Sequence, residues 1–110
     1  MYIIAINGSP RKNCNTAKLL ESALKGTEDC GATTELIHLY DYEYKGCYSC
    51  LDCKRKDKPT ALCSYPDGLQ TVLEKVKKAD GVILGSPIYN GTDTAVMRAF
   101  LERLSYPFLF

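Results

Sequence analysis

The sequence has one histidine, His38, and almost no net charge: 14 Lys and Arg stand against 13 Asp and Glu, for a formal +1. A lone histidine in a strand-like segment reads as structural, and no Ser-His-Asp or paired-carboxylate pattern accompanies it. The charge balance gives no electrostatic basis for binding DNA, RNA or an anionic membrane. The Lys-Arg-Lys-Asp-Lys run at 54–58 therefore reads as a solvated loop. Long apolar runs are missing too. The first, Tyr2 to Ile6, is far shorter than the roughly 7 to 15 residues of a signal segment or the roughly 20 of a membrane span. The expectation is a cytosolic protein, in a compartment where thiols stay reduced. At 110 residues, with 45% apolar and 25% charged side chains, residues 1–110 read as one ordinary globular domain.

What is present is an alternation of strand and helix signals. Tyr2-Ile3-Ile4-Ala5-Ile6 runs apolar without interruption, as a parallel strand covered on both faces does. Ala17, Leu20, Ala23 and Leu24 then recur at helical spacing. Asn15 or Thr16 is expected to cap that helix, and Gly26 or Gly31 to close it. Residues 33–39 read as a second strand. Leu69, Val72, Leu73 and Val76 mark a second helix after the turn signal Pro66-Asp67-Gly68. Its Lys75, Lys77 and Lys78 form a polar face. Gly81 to Gly85 reads as a third buried strand, broken by Ser86-Pro87-Ile88-Tyr89-Asn90-Gly91. Ala95, Val96, Ala99, Phe100 and Leu104 mark a third helix. The order β-α-β-α-β-α implies a parallel sheet joined by right-handed crossovers. Residues 40–65 show no period. Loops beyond roughly 12 to 15 residues are usually functional or disordered, so this one is a functional candidate.

The loop after the first strand, NGSPRKNCNTAK, leads into a helix. Open parallel sheets bind ligands at the carboxyl ends of their strands. A helix N-terminus there presents free N–H groups and the positive end of its dipole. Ser9 and Thr16 add hydroxyls, Asn13 and Asn15 add amides, and Arg11 adds a cationic fork. The set suits a phosphate monoester; the alternative is a plain polar turn before a capped helix. The loop is neither G-x-G-x-x-G nor G-x-x-x-x-G-K-[ST], which disfavours Rossmann dinucleotide binding and a P-loop ATPase.

Four of the six cysteines crowd one stretch. Cys47, Cys50 and Cys53 follow C-x2-C-x2-C, and Cys63 follows nine residues later. Spacing this tight lets several thiolates face one iron–sulfur cluster, and four complete a [4Fe–4S] ligand set. Zinc, a reversible disulfide or free thiols are the alternatives, although C-x2-C-x2-C crowds three ligands more than zinc sites usually do.

NGSPRKNCNTAKLLESAL, ILGSPIYNGTDTAVMRAFLERL and the intervening GCYSCLDCK resemble the NADPH-dependent FMN reductases and iron–sulfur flavoproteins. The likeness covers nearly the whole chain. It implies a flavodoxin-like three-layer α/β fold with strand order 2-1-3 and helices on both faces. It also implies FMN, with its phosphate held by Ser9, Arg11, Asn13, Asn15 and Thr16. The ring would be bordered by Pro87, Ile88, Tyr89, Asn90 and Gly91. Both loops flank the β1/β3 switch point, where FMN sits in such sheets. NAD(P)H and an electron acceptor are implied as partners. The implied activity is an oxidoreductase moving electrons from NAD(P)H through flavin, by way of a cluster held by Cys47, Cys50, Cys53 and Cys63 close to the flavin. A non-enzymatic binding module and a simple electron carrier are the alternatives. Two departures stand out. Cys14 occupies a position usually held by glycine, and is strained if that position needs a positive φ. The chain also carries only three of the family's strands, so the third becomes an edge, which predicts a homo-oligomer. In the cysteine stretch itself the gap before Cys63 is longer than in the iron–sulfur flavoproteins, and Cys14 or Cys30 could replace Cys63 as fourth ligand only if the fold brings them close.

Overall fold

A computed structural model describes residues 1–56 and 62–109. Asp57 and Lys58 of the basic run lie outside the described residues. Three strands, β1 (Tyr2–Asn7), β2 (Thr33–His38) and β3 (Gly81–Gly85), form a parallel sheet in the order β2-β1-β3. Three helices accompany them: α1 (Asn15–Asp29), α2 (Leu69–Lys78) and α3 (Ala95–Ser105).

The unbroken apolar run of β1 is explained by burial on both sides. Ile3 and Ala5 face α1, where Leu20 and Leu24 cover them. Ile4 and Ile6 face α2 and α3, packing with Leu69, Val72, Leu73, Met97 and Phe100. Each such side chain contributes roughly 1.5–3 kcal/mol on burial. The middle strand therefore anchors both cores. Lys75 of α2 pairs with Glu35 of β2 at 2.5 Å, so this residue is more than one of a row of solvated lysines.

Several boundaries differ from expectation. Cys14, and neither Asn15 nor Thr16, is the N-cap of α1. Its φ of −106° is ordinary extended backbone, so a cysteine there carries no strain. Gly26 sits inside α1, and the helix is closed by Gly31 at φ 93°, a left-handed residue just past the end. β2 stops at His38 because Leu39 turns into a single 3-10 turn, Leu39–Asp41, and buries itself in the second core. Within residues 40–65 the described part holds one further 3-10 turn, Asp52–Lys54. Lys54 of the basic run is tied down: its ammonium donates to the Tyr106 carbonyl at 2.6 Å and lies 4.5 Å from the centre of the Tyr106 ring. No helix among the described residues is long and apolar enough to cross a membrane.

Candidate functional site

β1 and β3 end side by side, with Asn7 opposite Gly85. The Gly8 N–H donates to the Gly85 carbonyl at 2.8 Å, so the loops after the two strands leave the sheet together. β2 lies on the other side of β1, which makes this the switch point of the sheet.

Two short side-chain bonds shape the first loop. Asn7 is fully buried, and its Oδ1 accepts the Ser9 N–H at 2.9 Å. The buried Ser9 Oγ in turn accepts the Arg11 N–H at 3.1 Å. The other end of the Asn7 amide lies 3.0 Å from His38 Nδ1, which gives the single histidine its structural role. Gly8 lets the two loops approach closely: a Cβ there would meet Met97 Cβ at 3.0 Å and Thr94 Oγ1 at 3.1 Å, so those side chains would have to shift.

The loop delivers the chain to the start of α1. Cys14 makes no side-chain cap bond there. The amide donors of the first turn thus keep their hydrogen-bonding capacity for a ligand, at the positive end of the helix. Arg11, Asn13 and Asn15 are exposed and Thr16 is half-buried along this approach. Lys12 is held aside by Asp41 at 2.6 Å.

The second loop is a tight hairpin. Asn90 (φ 53°) and Gly91 (φ 80°) are both left-handed, and Tyr89 and Thr92 exchange backbone bonds at 2.8 and 3.2 Å across them. This is the Asn-Gly type I′ turn. It raises Ile88 and Tyr89 into solvent, 71% and 45% exposed, with Pro87 half-buried at its base. Apolar side chains on a rigid tip suit a flat aromatic ligand.

One residue joins the two loops. Thr94 donates from its hydroxyl to the Gly8 carbonyl at 2.7 Å, receives the Met97 N–H as cap of α3, and gives its own N–H to Ser86 Oγ at 3.0 Å. Sequence reasoning passed over both Thr94 and Asn7. Thr94 was findable as a threonine directly before an apolar helical period. Asn7 offered only its place at the end of a buried strand.

The cysteine stretch folds at the other end of α3. Ser49 (φ 58°) and Leu51 (φ 63°) are left-handed, and they coil the C-x2-C-x2-C segment back on itself. Cys47, Cys50, Cys53 and Cys63 line one cavity of about 20 Å³ together with Tyr65 and Arg103. That is room for about one water. Among the described residues no group of three or more potential ligands stands at metal-binding distances, so occupation by a cluster requires the coiled segment to open. The donor set is chemically apt, four soft thiols on one wall. Burial pushes the Cys53 thiol up, Lys54 opposes this, and Cys63 and Cys47 add to it. Cys14 and Cys30 are exposed and do not line the cavity, so they drop out as ligands. Arg103 lies nine residues beyond Thr94 on α3, roughly 14 Å along the axis. The expected closeness of cysteines and flavin loops is thus a helix length within this chain.

Comparison with known proteins fits this geometry. The profile of the NADPH-dependent FMN reductases matches residues 1–109. The chain belongs to that family. An iron–sulfur flavoprotein of Archaeoglobus fulgidus is 40% identical over 103 residues, 94% of this chain and 48% of the relative. One of Methanocaldococcus jannaschii is likewise 40% identical over 103 residues, covering 51% of its length. The chain thus spans about half the length of the curated relatives it matches. Among solved structures, an NAD(P)H:quinone oxidoreductase from Methanothermobacter marburgensis superposes with a TM-score of 0.72 at 19% identity, over 96% of this chain and 53% of that one. A flavone reductase gives 0.70 at 23% identity, over 96% and 30%. At such identities the likeness is one of fold, and it supports the flavodoxin-like arrangement of this chain.

Proposed function

We propose that residues 1–110 form one FMN-binding domain of an oxidoreductase that moves electrons from NAD(P)H through flavin to an acceptor. The observation that carries this reading is the pair of loops at the ends of β1 and β3, stapled by Thr94, the first of them leading into an α1 N-terminus whose N-cap, Cys14, makes no side-chain bond. Ser9, Arg11, Asn13, Asn15 and Thr16 would hold the phosphate. Pro87, Ile88, Tyr89, Asn90 and Gly91 would border the ring. Bound FMN supplies the hydride and electron chemistry. The chain fixes the phosphate, shields one side of the ring and keeps the two loops in register.

In the same reading Cys47, Cys50, Cys53 and Cys63 hold an iron–sulfur cluster, such as [4Fe–4S], that accepts electrons. The names of the relatives and the C-x2-C-x2-C spacing favour it. A single zinc ion on the same four thiols is the second reading. The test is an anaerobic titration of the purified protein with FMN, with iron and zinc assays on the same sample and NADPH added last. A saturable change in the flavin bands at one FMN per chain, bleached by NADPH, is the expected result. A protein that leaves FMN unperturbed is a binding module instead, and one whose flavin only dithionite bleaches is an electron carrier.

The edge strand belongs to this proposal as well. Among the described residues β3 has one sheet neighbour, β1, so the backbone groups of its other edge are unpaired in the sheet. Pairing with a strand of a second copy would satisfy them. Sedimentation velocity is expected to give a dimer or larger species, and a monomer at high concentration removes self-association from the proposal.

A further inference from the structure

We propose that His38 is a positioning residue for the phosphate loop: as a neutral ring it accepts from Asn7 and holds that amide in the orientation that bends the loop, and protonation of the ring releases it. The inference rests on the FMN reading above. Asn7 and His38 are sheet partners at the carboxyl ends of β1 and β2. Their side chains meet at 3.0 Å, Asn7 Nδ2 to His38 Nδ1. Which end of the amide faces the ring is fixed from the other side. The Ser9 N–H can only donate, and it lies 2.9 Å from Asn7 Oδ1. Oxygen must accept there, so the Asn7 nitrogen donates to His38. Nδ1 is then the bare ring nitrogen, and the proton of the neutral ring sits on Nε2.

Protonation puts an N–H on Nδ1 as well, and two donors then face each other. Asn7 is fully buried, so an amide hydrogen left without an acceptor is costly. Either the ring turns away and leaves it so, or the amide turns over, offers its oxygen to the ring and loses the Ser9 N–H. Ser9 passes the effect on, because its Oγ accepts the Arg11 N–H at 3.1 Å. The charged and titratable groups of the neighbouring elements are Lys18, Glu21 and Lys25 of α1, Arg11, Lys12 and Cys14 before it, and Asp41 after β2. Lys12 and Asp41 pair with each other, and among the described residues none of these groups bonds to His38. Histidine is the side chain whose ordinary titration falls between about pH 5 and 8, so the loop acquires its pH dependence there. A positive ring would by itself attract a phosphate, so the relay and the bare charge act with opposite sign.

The test titrates the wild type, His38→Asn and His38→Phe with FMN at about pH 8 and about pH 5. Asparagine offers an oxygen acceptor in the manner of Nδ1 and has no proton to gain. Phenylalanine keeps a ring and removes the acceptor. The phosphate of FMN takes up its own second proton near pH 6, alike for all three proteins. Between the two pH values the wild type is expected to lose roughly fivefold or more in affinity beyond the loss seen for His38→Asn. His38→Phe is expected to bind most weakly of the three at the higher pH. Nitrogen NMR of the flavin-free wild type reads the relay itself, and the single histidine makes the ring signals unambiguous. The expected result is a proton on Nε2 at the higher pH and a Ser9 amide signal that moves with the ring. A proton on Nδ1, or a Ser9 amide that ignores the ring, overturns the relay. Equal losses in wild type and His38→Asn, a wild type that gains affinity at low pH, or wild-type affinity in His38→Phe overturns its part in holding FMN. If none of the proteins binds FMN, the flavin reading fails, and the nitrogen signals alone decide the relay.

Discussion

Asp67→Ala lowers the stability of the protein by about 3–5 kcal/mol. The carboxylate holds both terminal nitrogens of Arg103, whose side chain has no exposure to solvent. Removing it leaves a buried guanidinium with only the Lys45 and Tyr65 carbonyls as partners. Asp67 has a second task, because its Oδ1 also accepts the N–H of Leu69, the first residue of α2, at 3.1 Å. Losing that bond adds about 1 kcal/mol. Domains of this size have about 5–15 kcal/mol in all, so the variant stands close to unfolding at physiological temperature. Urea denaturation checks this: the midpoint should fall steeply at unchanged slope. A loss below about 1 kcal/mol would mean that the pair is hydrated in solution, as exposed pairs are.

That pair also shows where sequence reading stops. An arginine in the last turn of a helix looks like a solvated partner of the helix dipole. Yet Met97, Phe100 and Arg103 are the buried residues of α3, at steps of three, while Leu104 is only half-buried. The period predicted the helix, but assigned the last apolar letter rather than the arginine to the inner face. Strands and helices were legible because each is specified by its own neighbours: the run in β1, the spacing in α1 and α2, the break after β3 at Ser86-Pro87. Contacts that arise only when distant segments meet were not. Thr94 meets Gly8 across 86 residues of chain, and Asp67 meets Arg103 across 36. The phosphate loop was legible as a list of donors, but the buried Asn7 that bends it was not. The cysteines were legible as a group, whereas their place at the far end of α3 depends on how the long crossover folds back.

Asn15→Asp separates the phosphate site from the fold. The two side chains have the same shape, and Asn15 is exposed at the first position of α1. An added carboxylate there interacts favourably with the helix dipole, so the protein without flavin should gain about 0.3–1 kcal/mol. A phosphate brought to the same helix end meets the opposite effect. Two like charges about 4 Å apart repel by about 4 kcal/mol near a protein surface, and exposure to solvent trims that to about 2–4 kcal/mol. FMN affinity should therefore fall by roughly 30- to 700-fold, while thermal stability holds or rises. Riboflavin, which has the ring without the phosphate, should bind wild type and variant alike. Added salt should restore part of the lost FMN affinity, because the repulsion is screened. If FMN binds both proteins equally, the phosphate does not sit at the N-terminus of α1, and the roles given to Ser9, Arg11, Asn13, Asn15 and Thr16 fall together. If riboflavin is weakened as much as FMN, the substitution has disturbed the ring loop through the Gly8–Thr94–Ser86 staple, and the charge argument fails while the loop geometry stands.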